Sequence, residues 1–219
     1  MTPADAISVA RSAEAAGFAT GWVSDHFFLD PSRYGGPSSA SPALECWTTM
    51  TAVAASTRRL RVGSLVLCEA FRPPGALAKM VATLDVLSGG RVEVGLGAGW
   101  LEAEYEAHGF AFDPPGQRLA RLEDYARIVG GMLAVSPFSY AGAHYAVRDA
   151  PCVPGPVQRP RPPVWIGGKG DRLLRIVARV GDGWNTVWRV GLDDYRARLD
   201  VLSRACDAVG RDPASVRRS

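Results

Sequence analysis

Residues 60–100 read LRVGSLVLCEAFRPPGALAKMVATLDVLSGGRVEVGLGAGW, and this stretch decides the fold. Its two ends are short apolar segments rich in β-branched residues, which is typical of buried strands. Between them, apolar residues recur at the spacing of a helix with one buried face: Leu77, Met80, Val81, Leu84 and Leu87. A strand, a crossover helix and a parallel strand place ligands at the carboxyl ends of the strands. The second strand ends there in a glycine-rich step at 95–99, where side chains are nearly absent.

The rest of the chain continues this alternation. We predict further strands at 21–24, 163–166 and 184–187, and helices at about 3–16, 42–57, 117–134, 171–180 and 193–209. A proline-rich segment near 136–160 predicts a β-hairpin insertion that turns around Gly142. Alternating strands and helices mean an α/β fold with a parallel sheet. Five strands in 219 residues predict a (β/α)8 TIM-barrel-like fold that is incomplete, because a full barrel takes eight strands and about 250 residues.

Composition limits the class of protein. The chain is 47% hydrophobic and 21% charged, with a net charge of +3 and scattered basic residues, so we expect no nucleic-acid partner. No apolar run is long enough to span a membrane, and the expected location is cytoplasmic. The four cysteines are far apart and the three histidines are separated, so neither disulfides nor a metal site is expected.

Two adjacent polar residues follow the first predicted strand. Asp25 and His26 would lie at its carboxyl end, where the imidazole, which titrates near neutrality, is suited to general acid or base work. Asp25 would orient that ring or bind a cofactor ring. The alternative interpretation is an Asp that caps a helix beside an ordinary loop histidine.

Two glycine segments end other strands at the same edge of the sheet. Gly97, Ala98 and Gly99 would let a planar ring or a ribityl chain approach the backbone, although a simple turn explains them equally well. Gly167 and Gly168 precede a helix whose free N–H groups could receive a phosphate, and Lys169 would add a positive charge. A solvated turn is the alternative there.

Several segments, in this order, resemble the bacterial luciferase-like monooxygenase superfamily, particularly its deazaflavin-dependent oxidoreductases, which use coenzyme F420. The segments are AAGFATGWVSDHF (15–27), the stretch 59–100, EAHGFAFDPPGQRLARLEDY (106–125), RPPVWIGGKG (161–170) and GDGWNTVW (181–188). The resemblance implies a TIM barrel with an insertion between the fourth helix and the fifth strand. It also implies a first strand before Pro3 and two βα units after VRRS (216–219), which this chain lacks. We therefore expect residues 1–219 to form a single partial barrel domain.

The resemblance also implies residue roles. Asp25 is similar to a residue that contacts the cofactor ring, and His26 to a proton-transfer residue. Ser64 and Leu65 match the position where a non-proline cis peptide bulges beneath that ring. Trp100 stands where relatives that oxidise sugar phosphates carry a catalytic carboxylate, so that activity is not expected here.

The resemblance predicts a hydride-transferring oxidoreductase that binds F420 and an unidentified small organic substrate. The alternatives are an FMN-dependent monooxygenase of the same superfamily, a truncated, non-catalytic barrel, and an unrelated barrel enzyme that binds a sugar phosphate and no flavin. Open strand edges favour pairing with another chain, and a homodimer is one expectation. Glu102 and Glu104 are expected on a solvated helix, with the site as the alternative. His108 and His144 are expected to be structural or on the surface, and Cys68 to be a small buried side chain.

Overall fold

A parallel β-sheet, curled into half a barrel, lies at the centre of this computed structural model, which describes residues 2–29, 41–186 and 191–219. The strands are β1 (Thr20–Val23), β2 (Phe28–Leu29), β3 (Ser41–Pro42), β4 (Arg61–Ser64), β5 (Leu67–Cys68), β6 (Val92–Gly97), β7 (Phe138–Ala141), β8 (Ala146–Ala150), β9 (Val164–Gly167), β10 (Gly183–Asn185) and β11 (Arg217–Arg218). The order in the main sheet is β1-β4-β6-β9-β10-β11, and β5 also pairs with β6. All of these pairings are parallel. The α/β class and the barrel-like architecture predicted from the sequence are confirmed.

The helices follow the strands as a crossover topology requires. They are α1 (Pro3–Ala15), α2 (Cys46–Ser56), α3 (Pro74–Ser88), α4 (Glu102–Ala107), α5 (Pro115–Ala134), α6 (Asp171–Val180) and α7 (Leu192–Asp207), with a 3-10 turn at Pro213–Ser215. Every residue of β6 is buried, so this strand lies in the middle of the core. Within the described residues, no helix is both long and apolar enough to cross a membrane. The assignment of residues 1–219 to one partial domain stays a prediction.

The structure corrects two details of the predicted helices. Leu87 does not share the buried face of α3, because 74% of it is exposed, whereas Leu77 and Ser88 are buried. At about 100° per residue, ten residues turn the helix roughly 80° away from Leu77 and eleven bring it back to about 20°. Helix α2 begins at Cys46 rather than near Pro42, because Pro42 lies in β3 and the Glu45 carboxylate caps the helix.

The predicted hairpin is present as β7 and β8, which pair antiparallel, and the Gly142 N–H donates to the Tyr145 carbonyl at 2.9 Å. Two hydrogen bonds to carboxylates hold the hairpin against the barrel. The Tyr140 hydroxyl donates to Asp124 of α5 at 2.7 Å, and the Tyr145 hydroxyl donates to Glu69 at 3.0 Å. The insertion therefore packs beside the carboxyl end of β5. Strand β10 ends at Asn185, two residues before the predicted end at Val187, which lies outside the described residues.

Candidate functional site

A cavity of about 890 Å³ lies at the carboxyl ends of the parallel strands. Six ends of the parallel strands contribute to its wall: Ser24–His26 after β1, Leu65 and Val66 after β4, Cys68 at the end of β5, Gly97–Trp100 at the end of β6, Gly167 and Gly168 at the end of β9, and Asn185 and Thr186 at the end of β10. Helices α4, α5 and α6 supply further lining residues: Glu104, Tyr105, Pro115, Arg118, Leu119 and Leu173. Most of the predicted site residues are thus brought together, because parallel strands end at one edge of the sheet.

Asp25 is buried in this wall and is held by an arginine that the sequence did not single out. Its Oδ2 accepts from Arg72 Nη1 at 2.8 Å and from the Cys68 N–H at 2.9 Å, and its Oδ1 accepts from Arg72 Nη2 at 3.0 Å. Arg72 also pairs with Glu45. Burial disfavours the Arg72 cation, but the hydrogen bonds and charges of Asp25 and Glu45 outweigh burial and raise its pKa. Among the described residues, Oδ1 of Asp25 accepts from Arg72 alone, so a lone pair is left for one further donor.

His26 is paired with a buried carboxylate. Its Nδ1 lies 2.7 Å from Oε2 of Glu104, whose other oxygen accepts from the N–H groups of Phe27 at 2.7 Å and Phe28 at 3.3 Å. The imidazole and the Trp100 ring pack edge to face, with the ring centroids 5.6 Å apart. A carboxylate at Nδ1 makes that nitrogen the donor and leaves Nε2 as the atom that exchanges a proton. The pair has the arrangement of a general acid or base and its orienting group.

The position of Glu104 corrects the expectation of a solvated helix. Glu102 is exposed as expected, but Glu104 is 1% exposed and its carboxylate lies in the cavity wall. Three glutamates alternate along α4, so the local pattern does not distinguish the buried one. The neighbouring Tyr105, which is also buried, is the one signal that this side of the short helix faces inward. His108 and His144 are exposed.

Ser64 lies apart from the cavity. It is fully buried in β4, where its hydroxyl donates to the Gly95 carbonyl and accepts from the Gly95 N–H, both at 2.9 Å. The non-proline cis peptide joins Leu65 to Val66, one bond later than the predicted Ser64–Leu65 position. The two hydrogen bonds to Gly95 hold Ser64 within the strand. Leu65 and Val66, not Ser64, reach the cavity.

The glycines of the cavity wall make room mainly for neighbouring side chains. A Cβ at Gly97 would lie 2.4 Å from Val66 Cγ2, and one at Gly167 would lie 2.7 Å from Val66 Cγ1. At Gly99, where φ is +67°, a Cβ would lie 1.9 Å from the Tyr105 hydroxyl oxygen. Gly97, Ala98 and Gly99 do line the cavity. However, the packing of Val66 and Tyr105 alone already excludes a side chain at Gly97, Gly167 and Gly99.

The predicted phosphate position is only partly assembled. Gly167 and Gly168 line the cavity, but the Gly168 N–H already donates to the Asn185 carbonyl at 3.0 Å. Lys169 is exposed and is not among the residues of the cavity wall. A phosphate would therefore have to use other donors than the Gly168 N–H.

Two buried polar atoms on cavity-lining residues lack a hydrogen-bond partner among the described residues: Nε of Arg118 and Oγ1 of Thr186. Buried polar groups are nearly always paired, so these two atoms are candidates for contact with a polar ligand or with water. The sequence did not single out either residue. Arg118 lies within an ordinary amphipathic helix, and Thr186 follows a short strand, so neither carries a local signal of function.

Comparison with known proteins places these features in a family. The family model described as luciferase-like monooxygenase matches residues 1–219. An uncharacterized protein of Mycobacterium tuberculosis is 34% identical over 224 residues, which cover 97% of this chain and 76% of that protein. An F420-dependent glucose-6-phosphate dehydrogenase of Amycolatopsis mediterranei is 32% identical over 90% of this chain and 57% of its own length. An FMNH2-dependent dimethylsulfone monooxygenase of Pseudomonas putida is 30% identical over 92% of this chain and 53% of its own length.

A solved structure of another protein has the same fold as this chain. An F420-dependent secondary alcohol dehydrogenase in complex with an F420-acetone adduct superposes with a TM-score of 0.85 at 22% identity, covering all of this chain and 64% of that one. This chain thus spans between about half and three quarters of the length of the proteins it matches. With a family match along its whole length and these relatives, the chain belongs to the luciferase-like monooxygenase family, whose members are oxidoreductases and monooxygenases.

Proposed function

We propose that this protein is an oxidoreductase that transfers hydride between coenzyme F420, a deazaflavin, and a small organic substrate. One observation carries the proposal. The His26 imidazole lies in the wall of a large cavity and is oriented by the buried carboxylate of Glu104. A cavity of about 890 Å³ is within the range that holds a cofactor-sized molecule.

The residues present fit such a cofactor. The lining is mostly apolar, and Leu65, Val66 and the backbone of Gly97–Gly99 form walls against which a planar ring system would pack. Asp25 would offer its remaining acceptor to a ring N–H, while Arg72 keeps that carboxylate in place. The unpaired Oγ1 of Thr186 is available to a ligand hydroxyl. When bound, the deazaflavin supplies or receives the hydride, which no side chain of this protein can do.

His26 would handle the proton that accompanies the hydride. Oxidation of a substrate carbon that bears a hydroxyl releases a hydride from carbon and a proton from oxygen, and Nε2 would accept that proton. Glu104 would stabilise the resulting imidazolium through its contact with Nδ1, at 2.7 Å. In the reverse direction, the same imidazolium would donate its proton.

An FMN-dependent monooxygenase is the second candidate. The relative that uses reduced FMN is 30% identical to this chain, close to the 32% of the F420-dependent relative, so sequence similarity alone does not decide between them. The Asp25–His26 pair favours the deazaflavin. Consumption of oxygen by the protein with bound, reduced FMN would favour the monooxygenase. The predicted homodimer and the cytoplasmic location stay predictions.

Replacement of His26 tests the proton-transfer role. Screening small alcohols and carbonyl compounds with F420, followed by the absorbance of the oxidised deazaflavin, would identify a working substrate. With it, His26→Ala is expected to lower kcat by roughly 100- to 10,000-fold, the range of general acid–base catalysis, while cofactor affinity is nearly unchanged. Glu104→Gln should also lower kcat and displace the pH profile, because it removes the charge and leaves one acceptor oxygen where the Phe27 N–H and Nδ1 of His26 each need one.

His144→Ala is the matched control, since His144 is exposed on the hairpin and outside the cavity. It should leave kcat and the pH profile unchanged. Full turnover in His26→Ala would show that this imidazole does not transfer the proton. Equal loss of kcat in the control would attribute the effect to structural damage.

A further inference from the structure

Arg118 is a buried cation in the wall of the cavity that the proposed function does not use. It lies in the first turns of α5 and is only 7% exposed. Its guanidinium carbon lies 4.1 Å from the centroid of the Phe112 ring, and Nη1 donates to the Gly99 carbonyl at 2.7 Å. These contacts fix the side chain against the loop after β6.

The known contacts of Arg118 leave one side of its guanidinium without an acceptor. Its hydrogen bonds within the described residues use Nη1 alone, to Gly99 at 2.7 Å and more weakly to Ala98 at 3.4 Å. Nε is buried without any partner in the described part of the chain. Nε and Nη2 form the edge with which arginine binds the two oxygens of a carboxylate or phosphate. No described residue accepts a hydrogen bond from that edge.

The ion pairs around Arg118 also indicate that its charge is left for a ligand. The neighbouring arginines are neutralised, since Arg72 pairs with Asp25 and Glu45, and Arg121 pairs with Glu69 and Asp113. Arg118 forms no ion pair with any carboxylate within residues 2–29, 41–186 and 191–219. A buried charge without a counter-charge is costly, and proteins avoid it unless a ligand or partner completes the pair.

Glu69 is the carboxylate whose charge acts on Arg118, but it forms no ion pair or hydrogen bond with Arg118 among the described residues. Burial raises the pKa of its carboxyl group, and the charges of Arg121 and Arg118 only partly oppose that effect. Its oxygens already accept from Arg121 at 3.3 Å and from the Tyr145 hydroxyl at 3.0 Å. The carboxylate therefore serves the junction between the barrel and the hairpin.

We propose that Arg118 binds an anionic group, a carboxylate or a phosphate, of the molecule that occupies this cavity. The inference rests on the proposed function in that the cavity is the same. The anionic group has two sources, the phosphate of the cofactor or an acidic substituent of the substrate. The ligand chemistry is the same in both: two oxygens that share a negative charge.

Matched ligand pairs distinguish the two sources. The cofactor pairs are FMN against riboflavin, and F420 against its ribityl-deazaflavin core, which lacks the phosphate and the carboxylates. The substrate pair is benzoate against benzyl alcohol, since both fit an aromatic-lined cavity and differ in charge. Titration of the whole protein, followed by calorimetry, gives the preference for the anionic member of each pair.

Arg118→Gln removes the charge, and Arg118→Met is a second neutral variant that keeps an apolar stem against Phe112. Arg175→Gln is the control, because it removes an exposed charge on α6 outside the cavity wall. We expect the wild-type protein and the control to prefer the anionic ligand of at least one pair. That preference should fall roughly 10- to 100-fold in the variants, as for the loss of a charge-assisted hydrogen bond.

Loss of preference in the cofactor pairs alone would assign the anionic group to the cofactor, and loss in the benzoate pair alone would assign it to the substrate. Either result supports the proposal. The proposal is overturned if the wild-type protein prefers no anionic ligand. It is also overturned if a neutral variant that retains a wild-type circular dichroism spectrum keeps the preference. Failure to bind either cofactor would contradict the proposed function, yet the benzoate pair would still test Arg118.

Discussion

At the scale of single residues, Gly99 shows how tightly the cavity wall is packed. Its backbone has a φ of +67°, and a Cβ there would lie 1.9 Å from the Tyr105 hydroxyl oxygen and 2.9 Å from Cys68 Sγ. Those two atoms are themselves in contact at 2.9 Å. Burial, above all, raises the pKa of the Cys68 thiol to about 11, so this pair is neutral at physiological pH and acts as packing.

Gly99→Ala is therefore expected to destabilise the protein by about 1–3 kcal/mol, the usual cost of forcing extra volume into a packed interior. Urea unfolding, followed by circular dichroism, measures the change. Gly155→Ala is the control, because a Cβ there would be 3.6 Å from the nearest carbonyl oxygen, an ordinary contact. Identical unfolding midpoints for Gly99→Ala and wild type would contradict the packing described for this wall.

Residues of the site differ in how far the sequence alone could identify them. Asp25 and His26 were identifiable because they directly follow a strand whose end faces the cavity. Their partners were not, since Arg72 lies 47 residues from Asp25 and Glu104 lies 78 residues from His26. Such pairings depend on the tertiary fold. Lys169 is the opposite case. Its position near the start of a helix predicted a contact with a phosphate, but its side chain is exposed.

At the scale of elements, helix α2 depends on one carboxylate at its start. Glu45 accepts from the N–H groups of Trp47 at 3.0 Å and Thr48 at 2.6 Å, and it also pairs with Arg72. Burial alone would raise the pKa of Glu45, but the hydrogen bonds from Thr48, Trp47 and Arg72 outweigh it and lower the pKa to about 2. The cap thus links α2 to the arginine that holds Asp25.

The sign of the pH dependence follows from that shift. In the unfolded chain Glu45 has a pKa of 4.5, so as the pH falls it binds a proton there before it does in the folded protein. The stabilisation by Glu45 is therefore complete above pH 4.5 and is lost as the pH falls towards about 2. We expect Glu45→Gln to flatten this part of the stability curve and to cost about 1 kcal/mol at neutral pH, as for loss of a helix cap. Urea unfolding on both sides of pH 4.5 measures both effects.

Glu106→Gln, which changes an exposed glutamate on α4, is the matched control and should keep the wild-type slope. If Glu45→Gln also keeps that slope, the Glu45 carboxylate does not stabilise the start of α2 as a charged cap. The same cap explains why the start of α2 was misplaced from sequence: Glu45 is an unusual capping residue, and Pro42 is an attractive helix start that instead pairs in β3.

At the scale of the whole molecule, the order of apolar segments was sufficient to predict a parallel α/β architecture and its hairpin. Strand β6 was recognisable from its large apolar residues Val92, Val94 and Leu96, which follow a glycine turn and lead into the glycine-rich step at 95–99. The hairpin was recognisable because prolines and glycines interrupt the pattern. The cavity itself was not predictable in shape or volume, because its wall combines six strand ends with three helices. Only the face on which it lies followed from topology.

Cofactor titration tests the central claim, that this cavity binds a deazaflavin. A ligand at a hundredfold excess over its Kd stabilises the folded state by about 2.7 kcal/mol. For a chain of 219 residues, that corresponds to a rise in Tm of roughly 5–10 °C. We predict this rise with F420, together with a saturable change in deazaflavin fluorescence, and a smaller effect with FMN at equal concentration. No rise with F420 and an unchanged fluorescence would contradict the account, and a larger rise with FMN would favour the monooxygenase.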